Sequence, residues 1–336
     1  MRVLFVLMVV SLPFLSGCSP IWQKAESTPI AVNSVEQMRI TAAQGKAEAQ
    51  FNLGVMYYEG RGVQQDYNQA AVWYRKAAEQ GYAVAQTNLG MMYEQGQGVP
   101  QSYSQAFAWY RKAAEQGATV AQFNLGVMYT EGSGIQQDYK QAAAWYRKAA
   151  EQGDAGAQFN LGGLYYEGKG VQQDYKQAAA WYRKAADQGH AKAQFNLGGM
   201  YYEGKGVKQD YNQAAAWYGK AAEQGYAKAQ FILGGMYYEG KGVQQNYNQA
   251  AAWYRKAAEQ GFAMAQFILG GLYKKGQGVP QDYTQAYMWV NLAAAKEIAN
   301  ARETRDNLVK KFTPSQIEEG QRLSREWIAT HQQTEQ

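Results

Sequence analysis

The sequence predicts an all-α solenoid, and three observations carry that prediction. A block of 36 residues returns seven times, its Leu-Gly pair starting at Leu53, Leu89, Leu125, Leu161, Leu197, Leu233 and Leu269. Each block holds two runs of helical periodicity separated by glycines. No stretch alternates with the period of two that a strand requires. A fixed period of this size means units that bury their apolar faces on their neighbours. The length of 336 residues would otherwise suggest two globular domains.

Residues 1–17 read as a secretory signal. Arg2 supplies the positive start, Val3–Leu12 an apolar run too short to span a membrane, and Leu15-Ser16-Gly17-Cys18 follows. That string resembles a bacterial lipobox, which implies cleavage before Cys18 and a lipid on Cys18. Cys18 is the only cysteine, so no intrachain disulfide is possible. Ser19, in place of the Asp of the inner-membrane retention mark, points to an outer-membrane anchor. Residues 18–34, with Pro20, Ser27, Thr28 and Pro29, read as a tether. Fully extended, about 15 such residues reach at most ~50 Å.

Residues 35–46 read as an N-terminal helical cap, with Met38 and Ala42 turned to the first repeat. Residues 47–298 are the seven repeats. In the first, Ala49, Leu53, Met56 and Tyr57 make the apolar stripe of helix one. Gly60 and Gly62 end it, because glycine tolerates the positive φ of a helix terminus. Asp66 opens helix two as an N-cap, and Gln69 stands at capping-box spacing. The pair recurs as Ser102/Gln105, Asp138/Gln141, Asp174/Gln177, Asp210/Gln213, Asn246/Gln249 and Asp282/Gln285. Tyr67, Ala70, Ala71, Tyr74, Ala77 and Ala78 share one face of helix two. Small residues at Gly54, Ala70 and Ala77 let axes approach, and Leu53, Tyr57, Trp73 and Tyr74 fill the space between units.

The strings Leu-Gly-x-Met-Tyr, Gly-x-Gly-Val, Asp-Tyr-x-Gln-Ala and Trp-Tyr-x-Lys-Ala-Ala-x-Gln-Gly resemble the Sel-one-like repeat family, relatives of tetratricopeptide repeats. The resemblance covers about three quarters of the chain. It implies antiparallel helix pairs stacked in a right-handed superhelix, and adaptor or scaffold work in signalling, the envelope or host contact. A cysteine-rich branch of the family is linked to penicillin binding through paired cysteines in each repeat. This chain lacks them. Residues 299–336 form a C-terminal helical cap and polar tail. Thr313-Pro314-Ser315-Gln316 is a capping box, and Ile317, Leu323 and Trp327 give the last helix an apolar side.

Composition and motifs argue against catalysis. The 33 Lys and Arg against 28 Asp and Glu give a net charge of +5, spread without basic runs, so no nucleic-acid footprint is expected. Gly163-x-x-x-x-Gly168-Lys169-Gly170 imitates a phosphate loop but lacks the Ser or Thr after Lys and starts inside a helix. The two histidines, His190 and His331, have no partner at metal-ligand spacing, and no metal or cofactor is expected. His190 is expected in an exposed turn. Glu167 and Asp174 read as a helix-end charge and an N-cap. The tryptophans from Trp73 to Trp289 read as packing residues between repeats.

The candidate binding residues lie where repeats differ. Positions 48, 52, 55 and 59, and their equivalents, share a side of the first helix away from Leu53. In related solenoids that side faces the concave groove. It reads Val84-Asn88-Met91-Gln95, Val120-Asn124-Val127-Glu131, Gly156-Asn160-Gly163-Glu167 and Lys192-Asn196-Gly199-Glu203. The asparagines offer donors and acceptors to an extended peptide, and Tyr166 and Tyr202 border the side. The expected partner-binding residues are Asn88, Met91, Asn124, Val127, Asn160, Tyr166, Lys192, Asn196 and Tyr202. The expected activity is a membrane-anchored interaction scaffold of the bacterial outer membrane, facing the periplasm. The alternatives are a host-contact surface protein and an envelope enzyme acting on peptidoglycan or β-lactams, for which no catalytic constellation is found.

Overall fold

The computed structural model describes residues 32–296, 298 and 300–332. Every regular element among them is a helix. The expected signal, Cys18 and most of the tether lie outside these residues, as does the end of the polar tail. A first helix, α1 (Val32–Ala43), is followed by helix pairs α2 (Ala47–Glu59) and α3 (Tyr67–Glu79), α4 (Ala83–Gln95) and α5 (Tyr103–Glu115), and α6 (Thr119–Glu131) and α7 (Tyr139–Glu151). Then come α8 (Ala155–Glu167) and α9 (Tyr175–Asp187), α10 (Ala191–Glu203) and α11 (Tyr211–Glu223), and α12 (Ala227–Glu239) and α13 (Tyr247–Glu259). The chain ends with α14 (Ala263–Lys275), α15 (Tyr283–Ala295), α16 (Ala301–Val309) and α17 (Pro314–Gln332). Helix α1 opens at Val32, so three residues assigned to the tether are helical. Two compact units meet this description, Met1–Ala149 and Ala150–Gln336, with the division inside α7.

Each unit is a run of helix pairs, and each small core is shared between the second helix of one pair and the first helix of the next. In the first unit Ala70, Ala71, Tyr74, Ala77 and Ala78 of α3 are buried with Leu89 and Met92 of α4. The glycine of the Leu-Gly pair makes this possible. A Cβ on Gly54 would stand 2.6 Å from the Tyr74 ring, so only glycine admits the ring. Trp109 and Trp145 pack on the clusters ahead of them, as Trp217 and Trp253 do in the second unit. Their exposed flanks are covered from within the helix: lysines three residues on lie 3.9–4.3 Å from the ring centroids at Trp73, Trp109, Trp145, Trp181, Trp217 and Trp253.

The caps are only half of what the spacing suggests. Asp66 accepts from the amides of Asn68 and Gln69, as expected of an N-cap. The reciprocal bond of a capping box is not made. The Asp66 amide donates instead to the Tyr57 carbonyl at 2.9 Å, and the same backbone bond recurs from Ser102 to Tyr93 and from Asp174 to Tyr165. The neighbouring glutamine takes up a task the sequence did not suggest. Gln65 Nε2 donates to the Tyr58 carbonyl at 2.8 Å, satisfying an orphan acceptor at the end of α2. At Thr313 the full box does form, with Thr313 and Gln316 exchanging bonds of 2.9 and 3.3 Å.

A glutamine ladder locks successive pairs. Gln194 Nε2 donates to the Ala186 carbonyl at 3.0 Å, and its Oε1 accepts from Gln224 Nε2 at 2.7 Å. Gln194 is buried, so both bonds serve groups that water does not reach. The ladder ends at Gln266, where Lys296 replaces the next glutamine and donates to the Gly261 carbonyl; Gln266 Oε1 is buried without a partner. The terminal helix covers this end, with Leu323, Trp327 and Ile328 of α17 packed on the cluster around Trp289 and Leu292.

Candidate interaction face

In the first unit the candidate residues form two pairs, Asn88 with Met91 on α4 and Asn124 with Val127 on α6. A spacing of three puts each pair on one side of its helix. All four are half-buried, and Val84 and Val120, four residues before the asparagines, are exposed at 44% and 37%. Met91 is partly taken up by packing against Ala106, Tyr110 and Leu125. Beneath this side runs a row of buried tyrosines. Tyr110 donates to Glu94 Oε2 at 2.6 Å, and Tyr146 accepts from Thr130 Oγ1 at 3.2 Å. Burial pushes the Glu94 carboxyl above its ordinary pKa, opposed by the Tyr110 bond. Asn88 stands beside the Tyr74 phenol, whose oxygen is buried without a well-formed hydrogen bond.

In the second unit Asn160 and Tyr166 lie on α8, and Lys192, Asn196 and Tyr202 on α10. All five are half-buried. Asn196 stands beside the buried phenol of Tyr182, whose pKa is raised chiefly by burial. On α12 Ile232 occupies the equivalent position, and the Tyr218 hydroxyl is buried with no partner.

Tyr166 and Tyr202 belong to a motif that sequence reasoning missed. Each ring meets a second tyrosine edge-on, Tyr175 and Tyr211, at 5.1 Å between centroids. A lysine from the following turn sits over each pair. Lys205 donates to the Tyr166 hydroxyl at 3.2 Å and pairs with Glu203 at 2.7 Å. Lys241 donates to the Tyr202 hydroxyl at 2.8 Å and lies 4.3 Å from the centroids of both Tyr202 and Tyr211. The Glu203 bond raises the Lys205 pKa; burial alone would lower that of Lys241, but the Tyr202 and Tyr211 hydroxyls outweigh it. The available signal was the recurrence of lysine 39 residues after a tyrosine.

The remaining motifs take structural places. His190 is half-buried, not in an exposed turn: its ring stacks on Phe159 at 4.7 Å, and its Nδ1 accepts from the Ala193 amide at 3.2 Å. Asp174 caps α9 and Glu167 pairs with Lys169 at 2.7 Å. Gly163 lies within α8 and Gly168 is its left-handed C-cap. Among the described residues no three His, Cys, Asp or Glu side chains come together as metal ligands, and no helix is long and apolar enough to cross a membrane. What this side of the helices presents is a set of amides, phenols and ammonium groups suited to recognition.

The Sel1 repeat family matches the chain seven times, over residues 47–82, 83–117, 119–154, 155–190, 191–226, 227–262 and 263–297. Among solved structures, a Sel1 repeat protein from Oxalobacter formigenes is 37% identical with a TM-score of 0.68, over 82% of this chain and 80% of that one. A protective antigen of uropathogenic Escherichia coli strains, displaying an SLR fold, is 32% identical with a TM-score of 0.54, over 89% of this chain and 87% of that one. Among curated proteins none matches the chain. Sel1-repeat proteins generally mediate protein–protein interaction and are generally not enzymes. With seven matched repeats built as antiparallel helix pairs, the chain belongs to the Sel1 repeat family.

Proposed function

We propose that this protein is a lipid-anchored interaction scaffold of the bacterial envelope, holding a segment of a partner protein along the variable side of its first helices. One observation carries the reading. From repeat to repeat the buried residues scarcely change, whereas the half-exposed side changes from Val84-Asn88-Met91 to Lys192-Asn196-Gly199. Packing explains the constant set and leaves the changing one without a structural reason. Cys18 after a short apolar run supports the anchor, and Ser19 supports the outer membrane, facing the periplasm.

A photo-crosslinking residue at Asn124 or Asn160 tests the reading in cells. A shared crosslinked partner from both, and none from Arg183 on the second helix α9, is the expected result. Equal capture from all three positions, or none, refutes it. Replacing Cys18 by Ser is expected to move the protein from the membrane to the soluble fraction. Similarity to a protective antigen supports a second reading, display on the outer surface. Protease added to intact cells separates the two: a periplasmic chain survives and a displayed one is cut.

A further inference from the structure

The second unit carries a change of charge that its own repeats bring into relief. The first helix ends in Tyr166-Glu167, Tyr202-Glu203 and Tyr238-Glu239 in three successive repeats, and the turn that follows holds Lys169, Lys205 and Lys241. These lysines are used within the chain: Lys169 and Lys205 pair with Glu167 and Glu203 at 2.7 Å, and Lys241 is held by Tyr202 and Tyr211. In the fourth repeat the signs are reversed. Lys274 and Lys275 stand where Tyr and Glu stood, and Gln277 replaces the lysine. The Tyr238 hydroxyl, no longer accepting from an ammonium group, donates to Gln277 Oε1 at 3.2 Å.

Two more lysines lie on the same side, Lys192 on α10 and Lys228 on α12. Among the described residues none of Lys192, Lys228, Lys274 and Lys275 has an ion pair. Between them Gly199 and Gly271 remove the side chains that Val55, Met91 and Val127 supply in the first unit. The Tyr218 hydroxyl, on a fully buried side chain and without a partner, lies where a Cβ on Gly199 would be only 3.4 Å away. An unused donor thus ends beneath Gly199, within the lysine-bearing strip.

We propose that this side of the second unit, from Lys192 to Lys275, binds an acidic polypeptide segment, with Lys274 and Lys275 receiving its carboxylates. The proposal rests on the interaction side argued above and adds the chemistry of the partner. The Glu203–Lys205 pair is the internal template: at the fourth repeat its carboxylate is missing and an ammonium group stands in its place, which a partner's carboxylate complements.

The test uses the full chain and a fluorescein-labelled peptide of alternating Glu and Gly, with a Gln-Gly peptide as control, read by anisotropy at two salt concentrations. Saturable binding of the acidic peptide alone, weakened by salt, is expected. The double substitution Lys275→Glu with Gln277→Lys rebuilds the arrangement of the preceding repeats and so leaves the fold intact. It is expected to weaken binding about tenfold, the scale of one or two charge-assisted contacts. Lys184→Glu and Lys256→Glu, on the second helices, are expected to leave it unchanged. No saturable binding, or equal loss in the control variants, overturns the proposal. So does tighter, equally lysine-dependent binding of a single-stranded oligonucleotide or of vesicles containing phosphatidylglycerol. If the peptide fails while Asn160 still crosslinks a partner, only the acidic assignment falls; if both fail, the interaction side falls with it.

Discussion

Two glycines that the sequence cannot tell apart should differ sharply when replaced. Gly189 and Gly206 both have positive φ, +87° and +70°. Around Gly189 nothing lies within 4 Å of an added Cβ. At Gly206 the Cβ would overlap the Tyr175 carbonyl and stand 2.9 Å from the Lys176 amide, at the start of the preceding pair's second helix. Gly189→Ala should therefore cost only the left-handed backbone, about 1–2 kcal/mol. Gly206→Ala adds an overpacking term of about 1–3 kcal/mol, because the atoms it meets are backbone and cannot rotate away. The expected total is about 2–5 kcal/mol. Urea unfolding followed by circular dichroism measures the global effect. Hydrogen exchange in α9–α11 measures the local one, which is needed because repeat arrays can unfold in parts. Equal losses in the two variants would refute the account of Gly206 as the contact that lets one pair seat on the next.

The buried phenols offer a second contrast: Tyr110→Phe, which loses the bond to Glu94, should cost about 1.5–3 kcal/mol, whereas Tyr218→Phe, whose hydroxyl has no partner, should be neutral or stabilising by up to about 1 kcal/mol in denaturant titrations. In the glutamine ladder, a double-mutant cycle of Gln194→Ala and Gln224→Ala should give a coupling of about 1 kcal/mol, and additivity would deny the bond. The His190 pKa is lowered by burial and then by the Lys192 charge, so the folded state disfavours the proton. Stability is then full above the unfolded-state value of about 6.5 and falls as the pH drops through the lowered folded value. Urea midpoints from pH 7.5 to 5 should show this fall, and His190→Asn, a neutral N-cap, should reduce it; an unchanged slope would show that carboxylates alone set it.

The candidate side of the helices was legible in outline because variation between internal copies marks positions that packing does not dictate. Its internal bonds were not legible. Asn196 reads in the sequence as a free amide, and only the structure places it beside the buried Tyr182 phenol on the preceding pair. Lys205 and Lys241 read as loop lysines until the following turn brings them over tyrosines 39 residues earlier. His190 reads as exposed because its neighbours at that repeat position are so varied; the Phe159 ring that shelters it lies in the preceding first helix.

By itself the sequence determined the helices, their ends and their repetition. The apolar stripes, the N-cap at Asp66 and the left-handed Gly60 act within about a helix length, so their signals lie side by side in the chain. The tertiary structure decided which of two glycines takes a carbonyl against its face, why Gln65 caps the helix behind it and why the Asp66 amide turns to Tyr57 rather than to Gln69. Bonds that join one helix pair to another include links between residues 30–39 apart, such as Gln224 with Gln194 and Lys205 with Tyr166. Their geometry exists only once the pairs have stacked, because close approach of two backbones is a property of the packed helices and not of either helix alone.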